Sequence, residues 1–123
     1  MKLIEAIAHL EGFYAPIIPG VPSNRPQRNN NPGDLDYEPF MVGRYGAMLE
    51  WGTSNPRFAH FPNPGMGFQA LTDLLSGPHY FSLTVEQAIN KYAPPVENNT
   101  TNYVEFVCKA VGCESTDLIS SLL

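Results

Sequence analysis

"LIEAIAHLEGF", residues 3–13, predicts a short apolar helix that ends in a carboxylate followed by a glycine. The spacing predicts a helix over residues 2–11, because Ile4, Ile7 and Glu11 lie on one face at 100° per residue. Gly12 suits the C-cap. A carboxylate on an apolar face is costly to desolvate unless it lines a cleft, and burial raises its pKa. Glu11 is therefore a candidate general acid; alternatively the last turn frays and Glu11 faces solvent.

Length, composition and net charge exclude several classes of protein for this chain. The 123 residues, 43% of them hydrophobic, suit one compact domain over residues 1–123, and we expect a monomer. A net charge of −5 with only seven basic residues argues against a nucleic-acid module. No apolar run reaches about 18 residues and no cleavage site follows the N-terminus, so we expect neither a membrane span nor a signal peptide. Cys108 and Cys113 form no zinc pattern or disulfide framework and are expected to be reduced.

The middle of the chain predicts loops and a small β-lobe. Five prolines between residues 14 and 33 exclude regular structure there. Residues 35–43 and 57–61 resemble strands, and the second alternates, with Phe58 and His60 on one side. The two segments are expected to form an irregular hairpin whose tip is the stretch 43–55.

The second half predicts helices. One helix spans residues 65–77, and a second begins at the capping box of Thr84 and Gln87 and stops at Pro94. A third begins at Asn99 or Thr100 and stops at Gly112, and a last short helix is capped by Ser115 or Thr116. The predicted fold class is α+β, mainly helical, with a small irregular β-hairpin lobe after the first core helix.

Several chemistries lack the residues that they need. "GMGFQA" (65–70) fits a dinucleotide fingerprint, but two prolines precede it and no parallel strand follows, so Gly65 and Gly67 are interpreted as close-packing positions. No HExxH, GxSxG or phosphate-binding loop occurs. We therefore expect no metal and no cofactor.

Two polar segments suit a neutral ligand such as a sugar. "RNNNPGDLDY" (28–37) supplies three consecutive amides that both donate and accept hydrogen bonds. It equally suits an Asx-rich turn that caps the next strand. In "YAPPVENNTTNY" (92–103), Tyr92 and Tyr103 could stack on sugar rings, or the segment could be only a helix stop followed by an N-cap.

Taken in order, these segments resemble the lysozyme-like superfamily of peptidoglycan glycosidases. Within it they are most similar to phage and prophage lysozyme or lytic-transglycosylase domains, and they are more distantly similar to bacterial glucosaminidase domains. The resemblance is carried by "AIAHLEGF", "RNNNPGDLDY", "RFAHFPNPGMGFQALTDLL" and "TVEQAINKYAPPVENNTTNYVEFV", from about residue 2 to residue 112. It implies a lysozyme-like fold, peptidoglycan glycan strands as partner, and Glu11 as the general acid. It implies further substrate contacts at these positions: Arg28, Asn29, Asn30, Asn31, Tyr92, Asn98 and Tyr103. From charge and hydropathy we expect no nucleic-acid and no membrane partner.

The second carboxylate is left open by the sequence. Asp34, Asp36, Glu38, Glu50 and Glu97 are the candidates, and Asp34, in the asparagine turn, is preferred. A muramidase of the endolysin type would use such a pair, whereas a lytic transglycosylase uses Glu11 alone and forms 1,6-anhydro-muramyl ends. A non-catalytic glycan-binding or virion-structural module on the same fold is a further alternative. We expect the chain to stay in the host cytoplasm until it is released to the periplasm and cell wall, or to be virion-associated.

Overall fold

The computed structural model describes all 123 residues and has an α+β, mainly helical fold. One two-stranded antiparallel sheet accompanies the helices, and none of them is long and apolar enough to cross a membrane. The elements in chain order are α1 (Leu3–Leu10), α2 (Arg25–Arg28), α3 (Phe40–Tyr45), β1 (Met48–Leu49), β2 (Ala59–His60), α4 (Pro64–Ser76), α5 (Val85–Tyr92), α6 (Thr100–Val111) and a terminal 3-10 helix (Ile119–Leu122).

The predicted helices with clear end signals are confirmed. In α5 the side chain of Thr84 accepts from the backbone N–H of Gln87, whose side chain accepts from the backbone N–H of Thr84. Asn99 caps α6, which ends at Gly112 in the left-handed conformation. The cap predicted for the last helix is wrong, because Leu118 occupies the N-cap of the 3-10 helix and makes no side-chain cap bond.

The predicted β-lobe needs correction. Residues 40–45 form α3 rather than a strand, and β2 pairs with β1, with Met48 opposite His60. Pro39, at the N-cap of α3, has no N–H for a strand ladder but is tolerated where a helix begins. Of the predicted strand 35–43, only Asp36 keeps an isolated bridge, to Phe58.

The strand predicted over residues 57–61 is shorter, at Ala59–His60, and the segment is covered on both faces. Phe58 and its neighbour Ala59 are both buried, although they point to opposite sides of an extended chain. The guanidinium groups of Arg25 and Arg57 lie 4.6 and 4.9 Å from the centre of the Phe58 ring and cover it. A strand covered on both faces loses the alternation of polar and apolar residues.

A short helix interrupts the predicted irregular segment 14–33. In α2 the Asn24 side chain accepts from the N–H of Gln27, and the Gln27 side chain accepts from the N–H of Asn24. Pro26 lies within the first turn of this helix, where its missing N–H removes no intrahelical bond. Five prolines were therefore compatible with one turn of helix.

The chain packs as two compact units, Ala8–Leu71 and Met1–Ile7 with Thr72–Leu123. In the second of these, α5 packs on α6, and the last segment is tied to α5 by the bonds from Val85 N to Asp117 O and from Ile119 N to Leu83 O. In the unit Ala8–Leu71, the ring of Phe61 is buried and contacts Tyr45 of α3, with ring centres 6.1 Å apart, and its backbone is hydrogen-bonded to Asn29 and Asn30 of the asparagine turn. This unit holds Glu11 and four of the five candidate second carboxylates.

Candidate active site

Glu11 lies at the C-terminal end of α1, in a position fixed by the backbone. Gly12 has a φ of +91°, and its N–H donates to His9 O at 3.1 Å while Phe13 N donates to Ala8 O at 3.0 Å. These two bonds form a Schellman motif with Gly12 at C′ and Glu11 at the C-cap. The prediction that Gly12 ends this helix is confirmed, with Gly12 one position beyond the C-cap. Glu11 is half-buried, so its carboxyl is neither in the apolar core nor fully in solvent.

The chain beyond Glu11 is held by the capping residues of α2. Asn24 donates from Nδ2 to Gly12 O at 2.7 Å, and Gln27 donates from Nε2 to Phe13 O at 3.1 Å and to Ala15 O at 2.8 Å. The same two side chains therefore cap α2 and hold the loop that follows α1. Because each side chain has both a donor and an acceptor, it satisfies both sites at once. Glu11 is therefore held between the motif that ends α1 and the loop that Asn24 and Gln27 hydrogen-bond.

The asparagine turn is braced by its own side chains. Asn31 is fully buried; its Nδ2 donates to Leu35 O and Ala59 O, both at 2.9 Å, and its Oδ1 accepts from Leu35 N at 2.8 Å. Asn30 donates from Nδ2 to Phe61 O at 2.9 Å. These contacts match the alternative of an Asx-rich turn that caps the following segment. That the three asparagines also contact substrate stays a prediction.

Gly67 lets the N-terminal part of α4 approach this turn. A Cβ atom at Gly67 would overlap the backbone oxygen of Asn30 and lie 2.7 Å from Cδ of Pro32. The interpretation of Gly67 as a close-packing position is confirmed. Asn30 has a φ of +50°, a conformation that asparagine tolerates better than most residues. The turn is therefore fixed by contacts that only glycine at position 67 permits.

Asp34 is the most perturbed carboxyl of the turn. It has a φ of +49°, and its Oδ1 is buried without a hydrogen-bond partner. Burial, followed by the negative charge of Glu11, raises the pKa of Asp34 from 3.8 to about 7. The nearby cation of Arg25 lowers it by less. The two carboxyls are close enough to influence one another, so the structure brings Glu11 and Asp34 together.

Glu50 has the opposite environment, although it is more deeply buried. Arg25 binds it through both Nε and Nη2, the latter 2.6 Å from Oε2. Asn29 donates from Nδ2 to Oε1, and the backbone N–H groups of Arg57 and Phe58 donate to Oε2. The hydrogen bond from Arg25 is the main cause that holds the pKa of Glu50 far below its usual range. Glu50 is therefore a permanently ionised anchor of the lobe, and it does not donate a proton.

The remaining candidate acids are exposed. Asp36 forms an ion pair with Arg57, with Nε 2.8 Å from Oδ1, and both side chains are more than half exposed. Glu38 and Glu97 lie on the surface, Glu97 in the unit Met1–Ile7 with Thr72–Leu123. Asp34 differs from these three acids in being partly buried and in lying close enough to Glu11 for its pKa to be raised by that charge.

The other predicted contacts are divided between the two units. Arg28 is exposed and donates to Ser23 O at 3.0 Å. Tyr92, Asn98 and Tyr103 belong to the other unit: Tyr92 contacts Tyr80 edge-on with ring centres 6.4 Å apart, and Tyr103 is buried in α6. Asn98 is exposed and lines a polar groove of about 540 Å³ with the ends of α5 and α6.

Arg25 is the site residue that the sequence did not indicate. It lies 25 positions from Glu50, in a segment whose prolines predict a loop, and no local pattern links the two. Only the α2 capping box, Asn24 with Gln27, could have shown that this segment is ordered. No group of three or more histidine, cysteine, aspartate or glutamate side chains could hold a metal ion.

Comparison with known proteins adds no relative: neither the protein-family models nor the curated proteins that were searched match this chain. The likeness to lysozyme-like glycosidases rests on the four ordered segments alone. The chemistry of the site rests on its geometry. A carboxyl whose pKa is raised to about 7, close to the charge of a second carboxyl, suits general acid–base catalysis.

Proposed function

We propose that this chain is a peptidoglycan glycosidase of the muramidase type, which cleaves the β-1,4 bond between N-acetylmuramic acid and N-acetylglucosamine. The observation that carries the proposal is the Glu11–Asp34 pair, in which burial and the charge of Glu11 raise the pKa of Asp34 to about 7. Perturbed carboxyls cluster at catalytic sites, because acid catalysis near neutral pH needs a group that still holds its proton there.

Glycosidic cleavage makes two demands that such a pair meets. The leaving oxygen must receive a proton as its bond to the anomeric carbon breaks, and the positive charge that develops on the sugar must be stabilised. Glu11 is the acid that protonates the oxygen. Asp34 is the second carboxyl, and the proton bound near neutral pH belongs to the pair. When that proton is on Glu11, Asp34 is ionised and can stabilise the developing charge.

Glu50 supports the proposal because it binds the nearby hydrogen-bond donors. Arg25, the Asn29 amide and two backbone N–H groups all bind Glu50. Oδ1 of Asp34 has no hydrogen-bond donor, so no hydrogen bond compensates the burial of this oxygen. Substrate contacts at Arg28, Asn30, Tyr92 and Asn98 belong to the proposal through the family resemblance, whereas the side chains of Asn29, Asn31 and Tyr103 are buried. The substrate is the glycan strand of the wall, which the protein reaches after release from the host cytoplasm or as part of a virion.

The second candidate function is that of a lytic transglycosylase, and the state of the Glu11–Asp34 pair is relevant to it as well. That reaction needs only Glu11, and a neutral Asp34 below pH 7 is a poor nucleophile. Mass spectrometry of digested cell walls separates the two reactions. Hydrolysis leaves reducing muramyl ends, whereas transglycosylation leaves 1,6-anhydro ends that are lighter by one water.

Glu11→Gln tests the proposal. The variant keeps the shape of the side chain, so it should unfold at the same temperature as the wild type and lose roughly 10²–10⁴-fold in clearing of permeabilised cells. Glu38→Gln, at an exposed carboxyl of the same unit, is the matched control and should clear like the wild type. Full clearing by Glu11→Gln contradicts the proposal. Binding of purified walls without clearing by the wild type identifies the non-catalytic module instead.

A further inference from the structure

Trp51 is the single tryptophan of the chain, and 64% of its surface is exposed. It follows Glu50 directly, so its backbone is attached to the buried anchor of the lobe. Isolated exposed apolar residues are common on protein surfaces, and exposure alone indicates no role. What distinguishes Trp51 is how its ring is held.

A chain of contacts links the exposed indole to the interior. Its ring centre lies 4.5 Å from that of His60, with the rings tilted by 54°. Nδ1 of His60 lies 3.3 Å from Oδ1 of Asn29, which is 5% exposed and donates from Nδ2 to Glu50. The indole is thus oriented by a half-buried imidazole that is itself hydrogen-bonded to a buried amide. An aromatic ring ordered before binding loses less entropy when a ligand arrives.

The same network reaches the carboxyl pair. The charges of Glu50 and Arg25 both act on Asp34, and the charge of Glu11 acts on Asp34 more strongly than either. Trp51, His60, Asn29, Glu50 and Asp34 all belong to the unit Ala8–Leu71. An exposed aromatic platform and the catalytic pair are therefore built on one set of braced residues.

We propose that Trp51 is a binding platform for a pyranose ring of a β-1,4-linked N-acetylated glycan strand, held in place by His60. The inference rests on the proposed function and adds a binding site to it. A sugar fits because an indole offers a flat apolar face to the C–H groups of a pyranose and one N–H donor to its oxygens. The net charge of −5 gives no attraction for an anionic polymer, so a largely neutral strand has to be bound by contacts of this kind.

The experiment uses neutral β-1,4-linked oligosaccharide strands of N-acetylglucosamine, titrated into the full chain. Because Trp51 is the only tryptophan, its emission should shift and saturate as strands bind. By calorimetry Trp51→Ala should weaken binding at least about tenfold, or about 1.4 kcal/mol, and Trp51→Phe should restore most of it. Phe40→Ala is the matched control, since Phe40 is 56% exposed in the same unit and its ring is covered by Arg44, 5.5 Å away.

The result separates this inference from the proposed function. Two results together overturn the platform even if wall lysis is normal. The tryptophan emission of the wild type stays unchanged when strands are added, and Trp51→Ala keeps the wild-type affinity and KM. Binding that depends on Trp51 without any bond cleavage supports the platform and contradicts the glycosidase. A merely structural role of Trp51 would lower the unfolding temperature of Trp51→Ala and leave the affinity of the folded protein unchanged, which also overturns the platform.

Discussion

Replacing Asp34 by asparagine should make the folded protein more stable at alkaline pH. Burial and the charge of Glu11 raise the pKa of Asp34 to about 7, so the folded state binds this proton more tightly than the unfolded state. The native protein therefore loses stability as the pH rises from about 3.8 to about 7, and the loss is complete above that range. Asparagine cannot ionise, and it tolerates the φ of +49° at this position.

The size of the effect follows from the pKa. The rise from 3.8 to about 7 corresponds to about 4 kcal/mol for a fully buried group, at about 1.36 kcal/mol for each pH unit. Asp34 is only partly buried, and solvent screening reduces this to about 1–2 kcal/mol. For a chain of this length, that gain raises the unfolding temperature by roughly 3–8 °C. At pH 3.5 the variant and the wild type should differ little, because the wild-type carboxyl is then protonated when folded and mostly protonated when unfolded.

Urea unfolding at pH 3.5 and pH 8.5 measures the difference. Asp36→Asn is the control, because Asp36 is exposed and paired with Arg57, and it should show no gain at pH 8.5. A gain for Asp34→Asn of equal size at both pH values, or a loss at pH 8.5, would refute the reasoning. The same variant separates the two reactions. A two-carboxylate hydrolase loses activity with Asp34→Asn, whereas a transglycosylase that needs only Glu11 keeps it.

Two further changes test how the lobe is built. Arg25→Met leaves the buried charge of Glu50 without its partner and should lower the free energy of unfolding by about 3 kcal/mol, measured in urea at pH 7. Adding Glu50→Gln should recover part of that loss. A loss no larger than that of an exposed ion pair would contradict the role of Glu50 as a buried anchor. Gly67→Ala places a Cβ against the Asn30 carbonyl and should cost about 1–3 kcal/mol. Gly43→Ala in α3, which has no neighbour within 4 Å, should be neutral or stabilising, and equal effects of the two alanines would exclude the close approach.

The helices were predictable because their signals are local. The reciprocal bonds of Thr84 and Gln87 lie within four residues of each other, and Gly12 ends α1 by its own backbone conformation. Glu11 was found as a candidate for the same reason, since its place on the helix follows from the spacing of its neighbours. Helical periodicity was therefore enough to identify Glu11 as a catalytic candidate from the sequence.

The β-lobe was less predictable because its contacts join distant residues. Strand signals in residues 35–43 and 57–61 could not indicate which segment pairs with which, and Pro39 favoured a helix start instead. The partner of Glu50 lies 25 positions away, so no local pattern marked Glu50 as the ion-paired acid. Asp34 was preferred only for its place in the asparagine turn, and the distribution of hydrogen-bond donors is what separates it from Glu50.

That distribution links the stability of the lobe to its chemistry. Glu50 is the more deeply buried carboxylate, yet its pKa falls well below the usual range, because Arg25, Asn29 and two backbone N–H groups stabilise its charge. The buried oxygen of Asp34 has no donor, and the charges of Glu11 and Glu50 both favour its neutral form. Since Arg25 lowers the pKa of Asp34, removing Arg25 would raise that pKa further while weakening the lobe. Two carboxyls of one lobe are thus driven to opposite protonation states, and such a division separates a structural acid from one that can exchange its proton near neutral pH.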